Sequence, residues 1–530
     1  MTLPRVLPVG DAAVALELAD TLDVGANARV RSVDRDLARR PFDGFREAVP
    51  THRSLLVLYD PAVSRFSDVA RDLRARAAAP AETTSPPRRH EIPVTYGGDD
   101  GPDLASVAAA RDLSEIEVVR LHSQTEYTAF MLGFTPGFPY LGLVPEALEC
   151  PRRATPRVRV PAGSVAMAAR QTGIYPSASP GGWHVLGRTS ARLFDALRDE
   201  PALVAPGDRV RFVSVPELPP PEPPLPAPLP AGAAVVEVLE AGLLTSVQDA
   251  GRVGLRRVGV SSAGPVDARA HAAANRAVGN PAGAAALECT VVGPRLAFLS
   301  PLRFAVTGAD LDAVLERADL GSWRVPMGAA VLARAGNILR FTGARAGARA
   351  YVALQGGIDV PIVLGSRATD LSSAFGGFSG RALGASDRLA VSPAAAAGVS
   401  PRESLPDLPA RSVTVRVVLG PQADHFDERG REALLGGPWR VSATSDRVGC
   451  RLEGEPLRHA GPPEILSDGM VPGSIQVPPD GRPIVMMADG PTTGGYPKIA
   501  TVVSADLPLL AQLVPGAGEV RFEAVRVEDL

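Results

Sequence analysis

Val160–Met167 reads VPAGSVAM, and Met470–Val477 reads MVPGSIQV. In both, a proline and a glycine set a tight turn and a serine opens an apolar run, the pattern of a strand entered from a turn. The match extends outward. SPGGWHVLGRT (Ser179–Thr189) is answered by TTGGYPKIATV (Thr492–Val502), and LVAPGDRVRFVSV (Leu203–Val215) by LVPGAGEVRFEAV (Leu513–Val525). Three matches in the same order predict one β-domain type present in each half of the chain. A further echo, VPMGAAVLARAGNILRF (Val325–Phe341), points to another copy inside the second half.

Short alternating runs such as DRVRFVSV, SVTVRVVL and EVRFEAVRV dominate, and glycine (53) and proline (52) are frequent. Many short strands joined by tight turns follow, and from them a mainly β fold of barrel-like domains. Helical spacing is confined to a few stretches, chiefly Ser106–Gln124 and Pro265–Asn280, the latter with proline early and glycine late. The clearest boundary is PELPPPEPPLPAPLPAGA, Pro216–Ala233. Proline at that density forms an extended spacer and cannot join a core. A weaker break lies at Ala79–Glu91.

At 530 residues the chain needs several cores. A formal charge of −3 gives no electrostatic case for nucleic acid or an anionic membrane. No apolar run nears the roughly 20 residues that span a bilayer, and the start lacks a signal-peptide pattern, so a cytoplasmic location is expected. Cys150, Cys289 and Cys450 are far apart, and the seven histidines show no metal-ligand spacing. Inert buried thiols and no metal site are the expectation. Of 55 basic residues a single one, Lys498, is lysine. That excludes a GxxxxGK[ST] phosphate loop and a biotinylation site on this chain.

Several stretches carry candidate chemistry. QTGIYPSASPGGW (Gln171–Trp183) is polar, uncharged and glycine-punctuated, which suits a small planar amide rather than an anion. Gln171 and His184 supply hydrogen bonds, Tyr175 or Trp183 a planar cover, and Gly181 and Gly182 a close backbone approach to an oxygen. Its counterpart holds Gly494, Gly495, Tyr496 and Lys498. Gln248, Asp249 and Arg252 sit in a glycine-rich turn before a helix, where Asp249 and Arg252 also read as a local ion pair. Asp446 and Arg447 open a strand-like run. MLGFTPGFPYLGL (Met131–Leu143) reads as a packed turn or as a pocket wall.

Together these stretches resemble a known family. GFTPGFPYLGL and PRVRVPAGSVAMAARQTGIYPSASPGGWHVLGRT look like the B subunit of bacterial 5-oxoprolinase, also called allophanate hydrolase subunit 1 or Kip-type inhibitor. LLTSVQDAGRVGLRRVGVSSAGPVDARAHAAANRAVGN, GGIDVPIVLGSRATDL, SDRVGCRLEG and DGPTTGGYPKIA look like the C subunit, of the biotin-dependent carboxyltransferase family. The chain thus resembles a B–C fusion. The resemblance implies a small N-terminal α+β domain (1–85), a cyclophilin-like β-barrel (88–215), the proline linker (216–233) and a tandem β-barrel region (234–530). It also implies ATP-driven opening of 5-oxo-L-proline to L-glutamate beside a separate A subunit, with ATP and Mg2+ as cofactors. On that reading Lys498, Tyr496, Asp446 and Arg447 are the catalytic candidates, and the other residues named above bind the amide. Two alternatives are a carboxyltransferase for urea working with a separate biotin carrier, and a non-enzymatic regulator of a sensor kinase. SDRVGC places Cys450 where the family usually has an aromatic.

Overall fold

The computed structural model describes the chain except residues 1–3, 81–85, 224, 226–231, 394–402, 404–407 and 410. Part of the proline linker therefore lies outside the described residues. The remainder forms four units.

The first unit is a four-stranded antiparallel sheet in the order Arg5–Pro8, Ala13–Glu17, Ser54–Tyr59, Phe45–Pro50. Helices Val24–Arg39 and Phe66–Ala78 cover one face, burying Val30, Val33, Leu37 and Leu73 against Val14, Leu16, Leu55 and Val57. The opposite face is apolar too: Val9, Ala13, Ala15, Val49 and Leu56 pack with Val471 of a distant unit. Burial on both faces explains why AVALE and SLLVLY are nearly continuous apolar runs instead of alternating ones.

The repeat predicted from sequence is present as two closed barrels of seven strands. Around the first, the order is Arg89–Tyr96, His184–Arg188, Ser164–Ala168, Gln171–Ile174, Pro139–Gly142, Glu126–Leu132, Arg209–Ser214. Around the second it is Ser412–Leu419, Lys498–Val502, Ser474–Gln476, Ile484–Met486, Gly449–Glu453, Trp439–Val441, Glu519–Ala524. In each barrel the first and last strands pair in parallel and the other neighbours are antiparallel. Each barrel also carries a two-stranded arm, Arg157–Val160 with Ser179–Gly181 and Asp468–Gly469 with Thr493–Gly494.

Between the barrels, Ala234–Ala390 forms a six-stranded and a five-stranded open sheet that share one core, with Val236, Leu296 and Leu339 facing Val247, Leu287 and Val352. This corrects the expected further copy. Val331–Ala333 and Ile338–Phe341 belong to different sheets, so the described residues of the second half hold one closed barrel, not two. The expected helix over Ser106–Gln124 is two helices, Leu104–Ala110 and Glu115–Gln124. Ser114 and Glu117 form a capping box that restarts the second. Pro265–Asn280 contains the helix Ala268–Ala277, capped by Asp267.

The two halves interlock. Ser504 donates to Asp11 from N and Oγ (2.8 and 2.6 Å). Gly254 and Arg256 N–H groups donate to Glu47 (2.9 and 3.3 Å), and Phe134 N–H donates to Thr493 Oγ1 (3.0 Å). No helix among the described residues is long and apolar enough to cross a membrane.

Candidate functional site at the junction of the two barrels

Gln171–Trp183 is not the open loop that its composition suggests. Gln171–Ile174 is a buried barrel strand, and Gly173 lets the Pro139 carbonyl approach, since a Cβ there would lie 2.8 Å from it. Tyr175 and Trp183 do not present a free ring face. They pack edge-on with Phe138 (5.1 and 5.7 Å) in a cluster that includes Phe134 and Tyr140. Met131–Leu143 is a hairpin: the end of one barrel strand, a packed turn and the paired strand Pro139–Gly142. Gly181 is glycine for an internal reason: a Cβ there would sit 2.3 Å from the Tyr175 hydroxyl. Gly494 likewise abuts Met470 Sδ (2.7 Å). Gly182 and Gly495 differ, because a Cβ at either would meet nothing closer than 3.7 and 3.5 Å.

One segment, Pro151–Arg157, touches a glycine of each pair. Arg153 N–H donates to the Gly182 carbonyl (2.9 Å), and the neighbouring Arg152 places Nη2 3.5 Å from the Cβ position of Gly495. Tyr496 is half-buried beside them, and His184 Nε2 donates to Pro151 O (2.9 Å) on the same segment.

Beneath this surface lies a sealed polar network. His52 Nδ1–H donates to Ser467 O (3.2 Å), which leaves Nε2 as the acceptor for the Gln171 amide. Burial pushes His52 down to about 4, so the ring is neutral, as that pattern requires. Asp468 accepts from Ser54 Oγ, from Gln422 Nε2 (3.2 Å) and from Lys498 Nζ (3.1 Å). Burial alone would raise the Asp468 carboxyl, but the Lys498 ammonium and the Ser54 hydroxyl outweigh it and hold the group below its ordinary value. Lys498 is 0% exposed. The network draws His52 and Ser54 from the first unit, Gln171 from the first barrel, and Gln422, Asp468 and Lys498 from the second.

The remaining candidates lie elsewhere. Asp249 and Arg252 do not pair with each other. Asp249 accepts from Ser366 Oγ (2.5 Å) and Arg367 N (2.6 Å), while Arg252 donates to Ala368 O (2.5 Å) and stacks on Phe375 (4.7 Å). Gln248 donates to Thr369 O (3.2 Å). All three hold one loop, whose Phe375 and Phe378 wall a cleft of about 530 Å³ against Phe194 and Asp195 of the first barrel. Asp446 is an exposed turn residue accepting from Val448 and Gly449 N–H (2.8 and 2.9 Å). Arg447, in contrast, is buried between Glu288 of the open sheets and Asp489, which it grips through Nε (2.9 Å) and Nη2 (2.8 Å). Burial pushes Asp489 up to about 6 even against Arg447, with Asp370 and Glu288 as further negative neighbours. Cys450 is a buried core residue, and burial pushes its thiol up to about 11. All three cysteines are free and buried.

Sequence reading misses His52, Ser54, Arg152, Gln422 and Asp468. Asp468 stands just ahead of the repeated VPGS turn, so the repeat itself flags its neighbourhood. His52 and Gln422 have no local signal.

Residues 4–204 match the family described as carboxyltransferase domain, subdomain C and D, and residues 258–524 match carboxyltransferase domain, subdomain A and B. The chain is 47% identical over 214 residues to the 5-oxoprolinase B subunit of Escherichia coli O157:H7, covering 40% of this chain and 97% of that protein. It is 40% identical over 300 residues to the 5-oxoprolinase C subunit of Escherichia coli K12, covering 56% of this chain and 93% of that protein. The crystal structure of TTHA0988 superposes with a TM-score of 0.85 at 39% identity, covering 96% of this chain and 99% of that one. Urea carboxylase of Kluyveromyces lactis superposes with a TM-score of 0.52 at 32% identity, over 56% of this chain and 28% of that one. The chain belongs to the carboxyltransferase-domain family that includes the B and C subunits of 5-oxoprolinase, with a B-like and a C-like part joined in one polypeptide.

Proposed function

We propose that this chain is the B–C component of an ATP-dependent 5-oxoprolinase, opening 5-oxo-L-proline to L-glutamate together with a separate A subunit. The observation that carries the reading is that, at the barrel junction, one segment, Pro151–Arg157, is bonded to Gly182 of the B-like part and reaches Gly495 of the C-like part. Neither part holds that junction alone, which gives a physical reason for the two to work as a unit.

On this reading the planar amide lies beside Gly182 and Gly495. Their carbonyls are taken by Arg153 and Ile465 N–H (2.9 Å each), and among the described residues their own N–H groups have no acceptor. Two such N–H groups suit the oxygen of an amide as it gains charge. Tyr496 flanks that space. Lys498 and Asp468 act from below as positioning residues, because the ammonium is spent on a sealed ion pair. Arg447 serves the packing of the second barrel on the open sheets.

ATP supplies the phosphoryl group that activates the lactam oxygen. The lone lysine is buried in an ion pair, and the sequence holds no GxxxxGK[ST] phosphate loop. We therefore assign nucleotide contacts to the A subunit's side. A urea carboxyltransferase remains the second reading, favoured only by the likeness of the C-like part to urea carboxylase. The test is to assay the purified chain, the A subunit and their complex for glutamate. Glutamate from the complex alone supports the proposal, and robust turnover by the isolated chain overturns the division of labour.

A further inference from the structure

The segment PRRATPR (Pro151–Arg157) carries three arginines, and two are committed. Arg157 grips buried Asp103 with both terminal nitrogens (2.7 and 2.9 Å), and Arg153 Nη1 reaches the same carboxylate (2.6 Å). The Asp103 carboxylate also caps Val185 N–H (2.7 Å), so this pair of arginines ties the segment to the barrel. Arg152 is different. Its one ionic partner among the described residues is Glu464, at 3.7 Å, and its side chain is 36% exposed. A pair that open is weak and readily exchanged for a better-placed anion.

Its position is set by both halves. The guanidinium stands over Gly495 of the second barrel's arm, from a segment whose next residue is bonded to Gly182 of the first. Neither glycine is demanded by the fold. Neither has the positive φ that favours glycine, and a Cβ at either would make only ordinary contacts. Gly495 lets the accessible guanidinium come close to bare backbone. A solvent-open guanidinium fork beside backbone N–H groups that have no acceptor among the described residues matches a small molecule that is both amide and carboxylate.

We infer that Arg152 is the specificity residue that binds the carboxylate of the substrate. The inference rests on the 5-oxoprolinase reading and deepens it: the site takes carboxylated cyclic amides and discriminates against bare ones.

The complex of this chain with its A subunit, wild type and Arg152→Gln, is assayed for ADP release with 5-oxo-L-proline and with 2-pyrrolidinone, which lacks the carboxylate. The wild-type complex is expected to favour 5-oxo-L-proline strongly. Arg152→Gln should raise its KM roughly 10- to 100-fold, the scale of losing a charged hydrogen-bonded contact, and leave 2-pyrrolidinone unchanged. Gly495→Ala should fold and raise KM in the same direction by setting a methyl group against the guanidinium. Thermal unfolding of both variants matching wild type would confirm that neither change acts through the fold. If the wild-type complex turns over 5-oxo-L-proline and Arg152→Gln keeps its KM, this inference fails while the functional reading stands. If the wild-type complex does not turn it over, both fail.

Discussion

Lys498 Nζ lies 3.1 Å from Asp468 Oδ2, and both side chains are shut away from water where the first unit meets the second barrel. Desolvating two charges is costly, and here the cost is offset only because Ser54 and Gln422 complete the Asp468 carboxylate. The chain's only lysine thus sits where a compact ammonium fits and a broad guanidinium does not. Lys498→Met should strand the carboxylate and lower stability by about 3–5 kcal/mol. Lys498→Arg should cost about 1–3 kcal/mol through overpacking. Urea unfolding measures both, and an unchanged midpoint for Lys498→Arg would mean that the site is looser than described.

His52 makes stability depend on pH. Its folded value of about 4 lies below the ordinary 6.5, so the unfolded chain binds the extra proton between those values. A neutral buried ring therefore contributes stability above 6.5 that is lost as pH falls toward 4. From pH 7 to pH 5 the loss is about 2 kcal/mol. His52→Gln should remove that component, so the variant's stability would fall less than the wild type's over the same window. Parallel pH profiles for the two proteins would refute the assignment.

Arg447 stands between Glu288 and Asp489, all three nearly inaccessible. Arg447→Met leaves two buried carboxylates facing each other and should cost about 3–5 kcal/mol at pH 7. Burial holds Asp489 up near 6 even beside Arg447, and losing that cation moves it further up, so the variant should regain stability as pH falls toward 5, opposite in sign to the effect of His52. Thermal melts of Arg447→Met at the two pH values decide it.

Cutting the gene within 219–230 should leave two pieces that co-purify. Contacts that join them include Asp34–Arg257, Glu47 with Gly254 and Arg256, Ser54–Asp468, Asp11–Ser504 and Phe134–Thr493, none of which involves the linker. Size-exclusion chromatography of the co-expressed pieces is the check, and two separate soluble halves would contradict the interlocked arrangement.

How much of this is legible in the sequence follows from what patterns can encode. The repeated VPAGS and VPGS turns and the recurring GG pairs are local signals, and they lead to two barrels of one topology and to the junction glycines. The open sheets escape such a reading because VPMGAAVLARAGNILRF has the same period-two runs whether its strands share a barrel or lie in different sheets. Gln171–Trp183 reads as a ligand loop because its polar side chains give no sign of their partners. Gln171 reaches His52 across 119 positions, and Asp468 reaches Ser54 across 414. Pairings at that separation are decided by tertiary packing. Asp446 and Arg447 show the limit most plainly, since neighbours in sequence end at the surface and in the core.

The most direct measurement gives the reconstituted complex of this chain and its A subunit two substrates. One is 5-oxo-L-proline with ATP, and the other is urea with a carboxylated biotin carrier. A B–C component of 5-oxoprolinase yields glutamate and ADP in equal amounts from the first and no carboxylated product from the second. Carboxyl transfer to urea without glutamate formation would contradict that function.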